Sequence, residues 1–338
     1  MKFIGDVVLT TPVIRSVRAT FPDAYIAYLG DKEAVSLLEH NPFLNDVIPF
    51  DFSKPTVLEQ SRVTLLLRKR KFDAVVDFFS NPRSALLSYL SGARIRIGGD
   101  FGARGRLFTH RLRDDGKPKT AIEFHYRYVE PLGVQPESWK TEIYLTDHEL
   151  RESKIYLRWQ DISPGRPIVG LHPGATWPAK MWPAERFAEL ARLLAVELGA
   201  RVLISQGRGD VEVAREVGKK AGGAAKVLSV LGLRQLAAIL SHCSVYVAND
   251  SAPMHIAVAV NTPTIGIFGP GEENVWFPYQ LPYYEDSAGH IPLRKDVFCH
   301  PCHLNVCNRD GNGYMECMKL LSVREVFEEV KKRLSLKR

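Results

Sequence analysis

The chain has 338 residues, about twice the length of a typical domain, and its 45 Lys+Arg against 38 Asp+Glu give a formal charge of +7. Hydrophobic residues make up 45% and charged residues 25%, which excludes a disordered, collagen-like or disulfide-scaffold protein. No apolar run reaches bilayer length and the N-terminus lacks a basic-then-apolar leader, so the expected location is cytoplasmic. The charge calls for an anionic partner: a nucleic acid, a phosphorylated substrate or an anionic membrane face.

Along the chain, Gly5-Asp6 precedes Thr10, Thr11 and Pro12 at the start of a helix. Residues 24–30 and 72–79 are short and rich in β-branched or aromatic side chains, and read as buried strands. Between them 58–70 has helical spacing, and 81–90 opens with the Asn-Pro start of a helix. A basic, Gly-rich stretch at 92–119 leads to a helix over 120–132 that stops at Gly133. In 161–167 (DISPGRP) periodicity lapses, which marks a linker. Strands follow at 168–171, 201–205, 226–230, 245–248 and 264–268, with a helix at 183–198 closed by Gly199. Repeated strand–helix units give parallel sheets covered on both faces, so the expectation is two doubly wound α/β domains facing across a cleft.

Three loops can carry chemistry. NDSAPMH at 249–255 places Asp250 and Ser251 at a helix start with His255 one turn on, either an anion site or an ordinary capped helix. HPGATWPAKMW at 172–182 offers Thr176 and Lys180 at the carboxyl end of a strand, either for a diphosphate or as a solvated loop. Asp6 is either a general base or a helix cap. Gly207-Arg208-Gly209 lacks the third glycine of a dinucleotide fingerprint, because Glu212 stands there. Arg94, Arg96, Arg104, Arg106, Arg111 and Arg113 form a basic cluster for phosphates or carboxylates, or a solvated face. No nucleic-acid module accompanies it. Cys299, Cys302, Cys307 and Cys317, with His300 and His303 interleaved, suit a structural zinc or an iron–sulfur cluster, with local disulfides or free thiols as the alternatives.

Five segments stand in one order along nearly the whole chain: IGDVVLTTPVIRSVRATFPDA (4–24), NPRSALLSYLSGARIRIG (81–98), HPGATWPAKMWPAERFAELA (172–191), NDSAPMHIAVAVNTPTIGIFGP (249–270), and a cysteine-rich stretch ending CMKLLSVREVFEEV (317–330). Together they resemble glycosyltransferase family 9, the family of the ADP-heptose:lipopolysaccharide heptosyltransferases, and the CMxxL-type ending resembles its heptosyltransferase II branch. The resemblance implies a GT-B architecture: an acceptor domain at 1–160, a nucleotide-sugar domain at 168–320, and a C-terminal helix at 321–338 returning to the first domain. It implies inverting, metal-independent transfer of heptose from ADP-L-glycero-D-manno-heptose to an anionic Kdo/heptose lipid A-core acceptor at the inner membrane leaflet. Asp6 matches the catalytic base. Thr176, Lys180, Asp250, Ser251, Ala252 and His255 match donor contacts, and Thr10, Arg83, Arg94 and Arg96 match the acceptor side. Two departures accompany the match. Only Met1–Ile4 precede Gly5, so the first, usually central strand is nearly absent, through a late start or a missing strand; Ala252 stands where the family often has glycine. A nucleotide-sugar epimerase of the same fold and a basic nucleotide-binding protein are the competing readings.

Overall fold

The structure is a computed structural model and describes residues 1, 3–117, 119–162, 165–277 and 289–336. It divides into two units, Met1–Thr141 and Glu142–Arg338. In the first, α1 (Ile4–Leu9) and α2 (Thr11–Thr20) precede β1 (Ala27–Asp31), β2 (Asp46–Phe50), α3 (Thr56–Arg70), β3 (Ala74–Val76), α4 (Pro82–Leu90), β4 (Ile95–Gly99), β5 (His110–Leu112) and α5 (Ala121–Arg127). The helix starts follow local chemistry. Asn81 accepts from the Ser84 amide at 2.8 Å, and Thr120 forms a reciprocal capping box with Glu123. Gly133 closes the following turn at φ 78°, a conformation that glycine adopts without a Cβ penalty.

All strand pairs in this unit are parallel, but they form two sheets, β1-β2 and β3-β4-β5. Among the described residues no strand joins them, because residues 4–9 are helical. Met1 brackets Gly30 as a parallel strand residue does: its amino group donates to the Leu29 carbonyl at 3.3 Å, and its carbonyl accepts from the Asp31 amide at 2.8 Å. Gly30 permits this approach, since a Cβ there would lie 2.9 Å from the Met1 oxygen. β2 went unread in the sequence because Pro49 interrupts its pattern; an edge strand tolerates that missing donor.

The second unit begins with α6 (Asp147–Trp159) and continues through β6 (Ile168–His172), α7 (Ala184–Glu197), β7 (Arg201–Ile204), α8 (Val211–Lys220), β8 (Ala225–Val227), α9 (Leu233–Leu240), β9 (Val245–Asn249), α10 (Ala252–Ala259), β10 (Thr264–Ile267), α11 (Glu273–Trp276), β11 (Ile291–Leu293), α12 (Glu316–Lys319) and α13 (Val323–Leu336). Its sheet is parallel, in the order β11-β10-β9-β6-β7-β8. Every residue of β9 and β10 is buried, as expected for strands covered on both faces.

Two boundary expectations are corrected. The division falls at Thr141/Glu142 rather than near 160–168, because α6 packs on α9 and the Arg234 guanidinium holds Glu149 by two bonds of 2.5 and 2.7 Å. Ser163 and Pro164 of the expected linker lie outside the described residues. The C-terminal helix belongs to the second unit: Val326, Phe327 and Val330 of α13 are fully buried in the core that includes Phe187, Leu190 and Leu194 of α7. Each such side chain contributes about 1.5–3 kcal/mol by leaving water. Trp182 anchors the same core and donates its indole N–H to the Leu321 carbonyl at 3.0 Å.

Candidate functional site

Strand order reverses between β6 and β9, the position in an open parallel sheet where ligands meet the carboxyl ends of strands. The register sets His172 beside Ala248 and Asn249 beside Ile267, so the segments after β6, β9 and β10 leave one edge together. Asn249 joins the first two. Its amide nitrogen donates to the Pro173 carbonyl at 2.8 Å, and its side-chain oxygen accepts from the Trp182 amide at 3.1 Å.

Above this clamp Lys180 Nζ meets Asp250 Oδ2 at 2.6 Å and lies 4.6 Å from the centre of the Trp177 ring. Burial raises the Asp250 carboxyl, and the Lys180 charge opposes that rise. His255, inside the first turn of α10, is also buried. Burial first, and the Lys180 charge second, push it down to about 4, so it is neutral at physiological pH. Its Nδ1 has no hydrogen-bond partner among the described residues. Gly271 closes the group: a Cβ there would sit 2.8 Å from Asp250 Oδ2 and 3.6 Å from Lys180 Cε. An ammonium held by one buried carboxylate, beside an unpartnered imidazole nitrogen, can be recruited by an incoming anion. Ser251 stands at the N-cap of α10, but its hydroxyl donates to the Asn249 carbonyl at 3.1 Å and caps no helix amide. Pro253 brings no N–H to the first turn and the Met254 amide donates to the Ser251 carbonyl at 3.1 Å, so this helix start meets a ligand through its dipole rather than through a row of open amides. Ala252 opens that turn, and Thr176 is exposed in the loop before Lys180.

A second layer lies beneath. His172 Nδ1 approaches the Ser205 carbonyl at 3.2 Å, which requires its proton there; Nε2 faces Asp210 Oδ2 at 3.6 Å. Ser205 Oγ meets the Tyr246 hydroxyl at 2.7 Å. Asp210 accepts from the Gly207 amide at 2.9 Å and fills the space at Gly174, where a Cβ would lie 2.2 Å from its carboxyl carbon. Asp210, Asn249 and Gly271 were not singled out from the sequence. The GRGD run at 207–210 and the asparagine heading NDS were their signals, and only the fold shows what they touch.

In the first unit Asp6 lies in the first turn of α1, half-buried. Burial raises its carboxyl to about 6, against the opposing charge of the amino terminus. Thr10 is corrected as an acceptor contact. It is fully buried, donating to the Val7 carbonyl at 2.7 Å and lying 3.0 Å from the Tyr28 hydroxyl. Arg96 is half-buried, and its Nε and one terminal nitrogen donate to the Leu107 and Ala93 carbonyls at 2.9 and 2.6 Å. Arg83 covers the Phe52 ring at 5.2 Å, while Arg94 is exposed. Asp77, beyond β3, was missed. It is buried, accepts from the Ser80 amide at 2.8 Å, and has Oδ2 without a partner among the described residues.

The cysteine segment braces the loops that carry Lys180 and Gly271. The Ala179 amide donates to the Asn305 carbonyl at 3.0 Å, the His303 amide to the Pro270 carbonyl at 3.0 Å, and a Cβ at Gly269 would lie 3.3 Å from Cys317 Sγ. Cys299, Cys302, Cys307 and Cys317 are free thiols. Burial, with the other three sulfurs adding, pushes Cys317 up to about 11, so it stays protonated at neutral pH. Among the described residues no three of His, Cys, Asp and Glu are gathered to hold a metal ion.

The sequence pattern of glycosyltransferase family 9 (heptosyltransferase) matches residues 61–294. A lipopolysaccharide heptosyltransferase 3 from Escherichia coli is 28% identical, covering 90% of this chain and 93% of that protein. The crystal structure of a family 9 glycosyltransferase from Veillonella parvula superposes with a TM-score of 0.85 at 25% identity, covering 100% and 96% of the two chains. The E. coli ADP-heptose lipopolysaccharide heptosyltransferase II superposes with a TM-score of 0.76 at 23% identity, covering 100% and 97%.

Proposed function

The chain belongs to glycosyltransferase family 9, and we propose that it moves a heptose from ADP-L-glycero-D-manno-heptose to the inner core of lipopolysaccharide, with inversion and without a catalytic metal. It is a glycosyltransferase whose two α/β units with parallel sheets are of the GT-B class. The observation that carries the donor assignment is the Lys180–Asp250 pair at the strand-order reversal, closed by Gly271 and backed by the neutral His255.

In the transfer, Asp6 takes the proton of the acceptor hydroxyl. That oxygen bonds to the anomeric carbon as the bond from this carbon to the diphosphate breaks, on the opposite face, and ADP departs with the electron pair. A carboxyl near 6 suits a base working near neutral pH. Lys180 exchanges Asp250 for the diphosphate, and the positive end of the α10 dipole faces the charge that grows on the leaving group. Thr176, Ser251 and Ala252 belong to the same loops. Arg94 and the basic run around it suit the carboxylates and phosphates of a Kdo-containing, lipid-anchored acceptor. Among the described residues no helix is long and apolar enough to cross a membrane, and the working place proposed is the cytoplasmic, anionic leaflet, reached peripherally. The cysteines serve the donor loops structurally; elemental analysis of the chain checks whether zinc or iron joins them.

The test is ADP release from ADP-heptose with and without a Kdo-containing core acceptor. Acceptor-dependent release with a heptosylated product is expected. ADP-heptose consumed without acceptor, or an epimerised donor, overturns the transfer reading.

A further inference from the structure

Residues 52–71 carry no exposed acid. Glu59, the single acid among them, is buried and held by Arg62 at 2.6 and 2.8 Å. α3 turns Val63 and Leu67 inward. It nevertheless keeps large apolar side chains outside as well: Val57, Leu58 and Leu65 are 76%, 67% and 68% exposed. Leu58, Arg62, Leu65 and Lys69 fall at i, i+4, i+7 and i+11, one line along the outer side of the helix. The Arg62 charge on that line is offset by Glu59, whereas Lys69 at its end, with Lys54 and Arg68 in the same segment, is exposed, so cations accompany the leucines and no exposed carboxylate stands among them. The neighbouring α4, packed on α3, extends the face with exposed Leu86 and Tyr89.

An exposed leucine alone is ordinary; a helix apolar on its outer side as well as its inner one is not. The outer line is a convex helix surface rather than a groove, which disfavours a peptide ligand. Its nearby aromatics, Phe52 and Tyr89, each already carry a guanidinium on a ring face, Arg83 at 5.2 Å and Arg96 at 5.6 Å, which disfavours a nucleobase stack there. Leucines among lysines and arginines suit the interfacial zone of a bilayer, where the chains enter the acyl boundary and the cations meet anionic headgroups. We propose that the outer face of α3, with the loop from Phe52, is the surface by which this protein docks on an anionic lipid bilayer. The proposal rests on the reading above only in that a lipid-anchored acceptor requires the enzyme to reach a membrane.

The experiment is flotation of the full chain with phosphatidylcholine vesicles, with and without phosphatidylglycerol, and with no acceptor present. Binding is expected to the anionic vesicles only, weakening as salt is raised. Each cation at such a surface strengthens binding about fivefold. Lys54→Gln with Lys69→Gln should therefore lower vesicle affinity by more than about tenfold, and Leu58→Asp with Leu65→Asp by at least as much. All of these variants keep the melting temperature within a few degrees and leave ADP affinity unchanged. Equal binding to neutral vesicles, wild-type binding by both double variants, or a preference for single-stranded RNA over vesicles would overturn it. Transfer to a deacylated, water-soluble acceptor separates the two proposals. If transfer is absent while flotation follows α3, the surface stands and the transferase reading falls; if transfer proceeds while flotation ignores α3, the surface falls alone.

Discussion

Asp6 is costly where it stands. A carboxyl raised from 3.8 to about 6 by burial is destabilising in its charged form, and the cost appears as pH rises from the unfolded value through the folded one. At neutral pH that cost is roughly 1–3 kcal/mol. Its proposed chemical use has the opposite sign: the carboxylate form needed of a base prevails only above about 6 and is lost as pH falls. Asp6→Asn should therefore do two things at once. Turnover should drop by about 10²–10⁴-fold, the usual reach of general base catalysis, while the variant melts no lower, and at pH 7 higher, than the wild type. The wild-type rate should show an acidic limb near pH 6. Full turnover in Asp6→Asn, or a rate that does not fall below pH 6, removes Asp6 as the base. Lost turnover with a lower melting temperature at pH 7 would instead mark a structural role.

At the scale of elements, the proposed donor seat is held by loops that press on one another, and Asp210 at the start of α8 is where two of them meet. A methyl at Gly174 would overlap its carboxylate at 2.2 Å, so Gly174→Ala must push Asp210 off the Gly207 amide and away from His172. Overpacking of this kind costs about 1–3 kcal/mol, and the displaced loop should weaken ADP binding by about tenfold. Asp210→Ala loses the same bond but makes room. The double variant should then resemble Asp210→Ala alone, in both melting temperature and ADP affinity by calorimetry; additive losses would show that the two loops are not coupled through this carboxylate. The segments that bear these loops were legible, because β6 with α7 and β9 with α10 switch from short apolar runs to capped or Pro-initiated helical spacing. The contacts were not: Asn249 reaches Pro173 and Trp182 across 76 and 67 positions, and no local pattern reports such pairings. β2 was hidden by Pro49, which interrupts its pattern. Thr10 carried the right chemistry, but the fold uses its hydroxyl on the Val7 carbonyl and a tyrosine.

For the whole molecule, the division at Thr141/Glu142 assigns α6 and α13 to the second unit, the proposed donor unit, together with Lys180, Asp250, His255, Asp210 and Gly271. That unit has its own six-stranded parallel sheet and a core running from Val169 through Phe187 to Phe327, with Trp182 at its centre of contacts to α7 and Leu321. A chain of about 200 residues buries enough apolar surface to fold by itself. Residues 142–338 should accordingly melt cooperatively and bind ADP within about threefold of the full chain, because every donor-side group named above is inside them. Lys180→Ala, placed in the full chain and in the fragment, should weaken ADP by about 10–100-fold in both, the size of a charged hydrogen bond lost from a diphosphate. A fragment cut at 160 instead lacks α6 and leaves Arg234 without Glu149, so it should be the less stable of the two by roughly 3 kcal/mol or more. A folded 142–338 that does not bind ADP would move the donor seat out of this unit. A 160–338 fragment as stable as the longer one would return the boundary to the Pro-Gly linker.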